Sequence, residues 1–518
     1  MQQKLFTNSF TKLFRRLFIR QLTPLLAISL SLSFSLCLPF SLCIAKGDAP
    51  ITPVPLYDET VPGAWQSMVS RADYDKAVEN LQAFNQKLPG KAGLSGKQIG
   101  LIAASPCRES MLYLVDQYQT NPEVPKALDL VAAGIQELPA AYQPQANPWK
   151  SASSTELVVK MLNFFPKWCT NLPQINGSFD NGLADIQRVS WLYYHNIAGQ
   201  DFVQGRNPNQ PQNPLETGMK FSKDFTLQLG KFMDSSASAT FISQWVEDPA
   251  IEIFDYQKQN VDDYRTWNDF FSRELITDTV KQIIPSRPVT MPERDYVVVA
   301  PTDCIMNPLI QVITKNGQPN RDLLNNPLQN NTVLDVKGIP LSMDQLLSGV
   351  EEKYREQFVG GTGQSCVLMP NTYHHFHAPV DGTIVHASII KTNTFGYYDW
   401  PNWVPTDGNV GRLGTDFSQF QNYQRGIVII ELKYDDLGEE RTGYVAVIPV
   451  GLESVGSVVL NEGIKKGVKV KKGYTELGNF YYGGSLNILL YSKGIAGGVT
   501  KVRMGNQINI LKIGKPIQ

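Results

Sequence analysis

Four of the five histidines of this chain fall between residues 374 and 386, and three of them stand in Tyr373-His374-His375-Phe376-His377. Far downstream, Gly483-Gly484-Ser485 lies between two strand-like runs, Leu477 to Tyr482 and Leu486 to Tyr491. An imidazole can take the proton of a serine hydroxyl, which is a weak nucleophile without an adjacent base. Glycine at 484 leaves its carbonyl unhindered and tolerates backbone conformations that other residues resist. Attack of the Ser485 Oγ on the Gly484 carbonyl gives an ester. Elimination then gives a dehydroalanine, and hydrolysis leaves a pyruvoyl group. These residue types therefore suggest a chain that cuts itself to make its own cofactor, with residues 485–518, 34 residues, as the small product.

The elements that must position them change character along the chain. Between residues 60 and 290 the spacing predicts helices, at Tyr74 to Leu88, Gln98 to Gln117 and Thr155 to Phe165, each with apolar steps of three and four. Gly205 to Pro214 reads as a surface loop, and Thr266 as the cap of a helix starting near Trp267. From about 295 short β-branched runs bounded by Gly, Pro or Asp predict strands. They are Val297 to Ala300, Ile305 to Ile313, Ser365 to Met369, Thr383 to Ile390, Gly426 to Leu432, Gly443 to Val450 and Leu486 to Tyr491. Two loops are expected: polar Gln318 to Thr332, and aromatic-rich Lys391 to Arg425. The fold class is α+β, a helical N-terminal region (50–260) before a β-rich catalytic domain (261–518).

Residues 1–24 carry five basic side chains and no acid, and Leu25 to Ala45 runs 21 residues without a charge. This is a signal peptide ending near Ala45, or a membrane anchor of about 30 Å. Either way the body of the protein is expected to be exported or membrane-anchored. A net charge of −1 argues against nucleic acid as the main partner. Cys107, Cys169, Cys304 and Cys366 allow three pairings, of which 107–169 with 304–366 is one; free buried thiols are the alternative. No zinc-type spacing is present, so no metal is expected.

Four segments resemble, in order, motifs of the phosphatidylserine decarboxylase family of pyruvoyl-dependent decarboxylases. They are Trp267-Asn268-Asp269-Phe270-Phe271-Ser272-Arg273-Glu274-Leu275, Ala300-Pro301-Thr302-Asp303, Tyr373 to Gly382, and Glu476 to Ser485. The resemblance spans about 264–493. It implies a self-cleavage triad of Asp303, His377 and Ser485, and a role for His374 in decarboxylation. It implies cleavage between Gly484 and Ser485, and a pyruvoyl group derived from Ser485 as cofactor, with no metal or pyridoxal phosphate. The pyruvoyl carbonyl would be the electron sink. Substrate readings are phosphatidylserine, or a free aromatic amino acid such as tryptophan. The latter is suggested by the long 50–260 region, which resembles the extension of a family branch. The partners expected are the substrate, a membrane surface and a homodimer.

Two departures stand out: Leu486 where the family has Thr or Ser, and Cys304 where it has Gly. They suggest a third reading, a non-catalytic lipid- or partner-binding module on a decayed fold. His375 reads as a non-catalytic neighbour and His386 as a strand residue. Strand alternation would put His374 and His377 on opposite faces, so an irregularity is expected there if both serve one site. The run Ile464 to Lys472 reads as a solvated hairpin, or as a surface for anionic headgroups.

Overall fold

The computed structural model describes residues 69–89, 93–136, 149–170, 189, 192–193, 197–203, 205–315, 318–324, 326–336, 339–369, 371–390, 425–451, 458–481, 485–493, 495–497, 501–502, 504–505 and 507–511. Residues 1–45, Gly483 and Gly484, and nearly all of the aromatic loop lie outside them. Among the described residues no helix is long and apolar enough to cross a membrane.

The N-terminal region is helical and the C-terminal region β-rich, as the patterns predict. Arg71–Lys87 is capped by Ser70, whose side chain accepts from the Asp73 amide, and it buries Ala77, Leu81 and Phe84. The single helix expected over 98–117 is two, Gly96–Ala104 and Arg108–Thr120. Pro106 is the cause: it disfavours helical backbone at the residue before it, and Ser105 is extended, with ψ 137°. Ser154–Trp168 tolerates Pro166 in its last turn. Its Phe164, Phe165 and Trp168 meet Trp149 and the Phe221 and Phe225 of Thr217–Met233. Ring centroids lie 4.9 to 5.1 Å apart for Trp149–Phe164, Phe165–Phe221, Phe165–Phe225 and Trp168–Phe225. Gly205 to Pro214 is not a plain loop: Arg206–Asn207 pairs with Gln210–Pro214 as a small hairpin. Thr266 does cap Trp267–Phe271, accepting from the Asp269 amide at 3.1 Å.

The centre of the β region is an eight-stranded antiparallel sheet. Its spatial order is Lys469–Val470, Gly382–Ile390, Arg425–Asp436, Glu439–Gly451, Ser485–Tyr491, Thr362–Leu368, Cys304–Pro308 and Lys501–Val502. Residues 425–430 and 486–491 are continuously buried, as expected of strands covered on both faces. The run expected over 305–313 breaks at Leu309, so that Ile310–Lys315 joins a separate four-stranded sheet. Gln318–Leu323, expected as loop, is the hairpin partner of Ile310–Lys315. Its polar composition hid a strand that takes its pairing from a neighbour. A further three-stranded sheet carries the histidines: His375–His377, Glu476–Phe480 and Val458–Leu460.

One hydrophobic cluster runs from Ala77 to Ile508, so the helices and the sheets share a core. Two disulfides cross it, Cys107–Cys169 and Cys304–Cys366, each closing a sequence separation of 62. This settles the pairing that the cysteine count left open. Loop-closure entropy for that length is worth about 4 kcal/mol at most. Replacing Cys107 and Cys169 together by Ser is expected to lower the unfolding free energy by about 2–4 kcal/mol, read from urea denaturation.

Candidate active site

The histidine segment is held from three directions. Phe271, Ser272 and Arg273 lie along one side. The Phe271 ring stacks on His374 with centroids 3.7 Å apart. The Ser272 carbonyl accepts from His375 Nε2 at 2.8 Å. Arg273 Nη2 donates to the carbonyls of Asn371 and Thr372 at 2.8 and 3.0 Å. On a second side the Pro301 carbonyl accepts the His377 amide at 2.8 Å, and Thr302 Oγ1 donates to the Tyr373 carbonyl. The strand Glu476–Phe480 forms the third. Gly478 is required there: a Cβ would stand 1.9 Å from the Val459 carbonyl oxygen. Register slips between Phe376 and His377, which pair with Gly478 and Glu476 and skip Leu477. This bulge is the irregularity expected near His377.

The three imidazoles have different chemistry. His377 is buried. Its Nδ1 lies 3.1 Å from the Tyr474 carbonyl and its Nε2 2.8 Å from the Tyr373 hydroxyl. A carbonyl only accepts, so Nδ1 carries the hydrogen and Nε2 is the basic atom, accepting from Tyr373. Burial pushes His377 down to about 4, with the Glu476 and Asp303 charges pulling the other way. Burial likewise keeps the Tyr373 hydroxyl protonated, its pKa well above the ordinary value. His374 is lowered well below the usual range, first by burial and then by the Arg273 charge. Its Nδ1 makes no hydrogen bond. Both ring nitrogens of His375 meet oxygens, Nε2 the Ser272 carbonyl and Nδ1 the Glu476 Oε1 at 2.9 Å. Burial opposes ionisation of Glu476, but the His375 contacts and the Asn461 amide outweigh it and hold the carboxyl below its usual range. His375 is thus a structural tie. His386 is a strand residue, bonded to Ser388.

Asp303 does not hydrogen-bond His377. Its carboxylate is gripped by Arg287, Nε at 3.0 Å from both oxygens and Nη2 at 2.8 Å from Oδ2, and by the Met504 amide at 2.7 Å. Arg287 also meets Asp255 at 2.6 Å and Glu252 at 3.6 Å. Burial works against the Arg287 charge, but Asp303 and Asp255 raise its pKa. Asp303 therefore acts on His377 only through space.

Ser485 opens its strand, opposite Leu368 on one side and Gly451 on the other. Ile305 pairs with Val367, the neighbour of Leu368, so the end of the 301–304 segment and Ser485 flank Leu368. Two strand spacings separate their backbones, about 10 Å. Leu486 is buried between Val450 and Val367, a packing position rather than a source of a hydroxyl. Asn487, two residues after Ser485 along the strand, is fully buried with neither amide atom bonded. Lys472, read as part of a solvated run, is buried: it donates to the Met291 and Arg294 carbonyls, and its amide to Asp381.

Residue-type reasoning missed Tyr373, Glu476, Arg273 and Arg287. The first three stand inside the quoted motifs. Arg287, in Ser286-Arg287-Pro288, carries no signal in the sequence; the fold alone brings it to Asp303.

Two expectations follow from this geometry. Folded His377 takes a proton only near pH 4, and the unfolded chain near 6.5. Stability present above pH 6.5 is then lost as pH falls towards 4, by about 3 kcal/mol from this residue at about 1.4 per unit. His374 adds loss of the same sign. Urea midpoints across pH 4–7 measure it, and His377→Gln is expected to flatten the slope. Arg287→Met strands the Asp303 carboxylate in the interior and is expected to cost about 3–5 kcal/mol by the same measurement.

Residues 267–510 match the family model described as phosphatidylserine decarboxylase. A phosphatidylserine decarboxylase proenzyme of Clostridium perfringens is 27% identical over 311 residues, 60% of this chain and 84% of that protein. One from Fusobacterium nucleatum is 28% identical over 277 residues, 53% of this chain and 74% of its own. Decarboxylase iboD of Amanita muscaria is 28% identical over 232 residues, 44% of this chain and 58% of its own. By these likenesses residues 267–510 are similar to the phosphatidylserine decarboxylase family, and the chain is a decarboxylase of that type.

Proposed function

We propose that the chain is a proenzyme that cuts itself between Gly484 and Ser485. It then converts phosphatidylserine to phosphatidylethanolamine and CO2, using the pyruvoyl group left from Ser485. One observation carries this reading. The segment bearing Asp303, the His377 that hangs from it, and the backbone of Ser485 share one end of the central sheet.

His377 is the base. Its Nε2 lone pair is free of a proton at neutral pH, and Tyr373 must yield that atom as the Ser485 Oγ loses its hydrogen. The Tyr474 carbonyl holds the imidazole in the right tautomer, the part that a carboxylate plays in other triads. The Asp303 charge favours the imidazolium that forms, as one of the groups raising the His377 pKa. The buried, unbonded groups of His374 and Asn487 suit a polar reacting group at the head of the strand. When formed, the pyruvoyl group supplies a carbonyl that accepts electrons as CO2 leaves. The His374 ring, stacked on Phe271, is the group that hands a proton, taken up from solvent as CO2 leaves, to the substrate carbon.

Phosphatidylserine is favoured as substrate because the relatives from Clostridium perfringens and Fusobacterium nucleatum are named for it. The apolar stretch at 25–45 would bring the enzyme to a bilayer. Two disulfides fit an exported, oxidising location.

Intact mass and denaturing gels test the cut. The purified chain is expected to yield a 34-residue fragment, 485–518, with a blocked N-terminus. Ser485→Ala is expected to stay whole, and a cut in that variant refutes the assigned nucleophile. His374→Ala is expected to be cut yet lose at least about 10²-fold in turnover, as loss of a general acid does. CO2 release from phosphatidylserine vesicles against free tryptophan assigns the substrate.

A further inference from the structure

The Cys304–Cys366 disulfide lies at the end of the sheet where the self-cleavage residues meet. Backbone pairing between Cys304–Pro308 and Thr362–Leu368 runs from Pro308↔Gln364 to Ile305↔Val367 and stops there. The disulfide closes the ladder at that end, and both sulfurs belong to buried residues. On one side of Cys304 is the segment that holds the base and acid. Pro301 accepts the His377 amide, Thr302 ties the Tyr373 carbonyl, and Asp303 carries the Arg287 ion pair. On the far side of Cys366 is the strand that begins at Ser485, with Asn487 opposite Cys366 and Ser485 opposite Leu368. The bond is thus a covalent link between the base-bearing segment and the strand that sets the register of the nucleophile.

We propose that Cys304 and Cys366 are positioning residues for self-cleavage, so that the proenzyme matures only once this pair is oxidised. The inference rests on the self-cleavage reading above. Two thiols give up two protons and two electrons to a disulfide oxidant, which leaves as two thiols. Before that, four ladder pairs join residues 305–308 to the strand beside Ser485, residues 301–304 add no described pair to that strand, and this end of the ladder can fray. Displacement of a reacting group by about 1 Å costs up to about 10²-fold in rate. Because such a pair oxidises outside reducing compartments, cleavage would be deferred until after export.

The second disulfide is a matched control. Cys107–Cys169 closes the same separation of 62 residues, so chain entropy alone gives the two bonds equal weight. It joins the start of Arg108–Thr120 to the end of Ser154–Trp168, in the helical region. A merely stabilising role predicts equal effects from losing either; a positioning role predicts an effect from one.

The test uses the full chain made by cell-free translation with dithiothreitol or with glutathione disulfide, following release of the 485–518 fragment. Cleavage is expected to be at least about tenfold slower in the reducing mixture, and to resume when glutathione disulfide is added to the uncut chain. Cys107→Ser/Cys169→Ser is expected to keep this redox dependence. Cys304→Ala/Cys366→Val is expected to be slow in both mixtures. Its cut fraction is expected to decarboxylate with a kcat within about twofold of wild type, a split that a general loss of structure would not give. Equal wild-type rates in the two mixtures overturn the proposal, and so does wild-type cleavage in the Cys304→Ala/Cys366→Val chain. If that variant does not fold, the wild-type comparison decides alone. A wild-type chain that stays whole under oxidation defeats the self-cleavage reading itself.

Discussion

Three imidazoles within four residues have to be buried in a protein interior, and each ring brings two nitrogens that lose water there. The site is largely the answer to that constraint. His375 is satisfied on both nitrogens, by Ser272 and Glu476. His377 is satisfied by Tyr474 and Tyr373 and remains a neutral base. His374 keeps Nδ1 unbonded and is stacked on Phe271 instead. An unpaired buried nitrogen costs roughly 1–3 kcal/mol, an expense that structural roles rarely carry. The imidazole left incomplete is His374, the one for which the later chemical step is proposed.

A second charge system is kept apart from the first. Arg287 holds Asp303 on one side and Asp255 and Glu252 on the other. The residues just before the Trp267–Phe271 helix therefore contribute carboxylates to the ion pair and, through Tyr256, a ring against Tyr373. The N-terminal part of the chain is bound into the site as well as into the common core. A carboxylate paired in this way lends His377 a field without a hydrogen bond, and the tautomer is fixed by a backbone carbonyl.

Much of this was legible beforehand for a definite reason. The strands at 382–390, 425–436 and 439–451 announce themselves because buried β-branched runs have few other uses. The capped start at Thr266 shows because cap chemistry is local. Gln318–Leu323 does not show as a strand in the sequence because its pairing comes from a partner strand and leaves no mark on its own composition. The two helices over 96–120 read as one in the sequence because apolar periodicity continues straight through Pro106. The Cys304–Cys366 pairing was open because sequence spacing does not say which strands become neighbours.

By itself the sequence determined the chemical inventory: imidazoles beside a tyrosine, an Asp after Ala-Pro-Thr, a serine after two glycines, four cysteines beyond the N-terminal apolar run, and an α+β order of elements. These are properties of residue type and short-range periodicity. Only the tertiary structure decided which nitrogen of His377 is basic, that Asp303 faces Arg287, and that Cys304 reaches Cys366 beside the strand of Ser485. Those are facts about groups far apart along the chain, and only the folding of the sheet brings them within bonding distance.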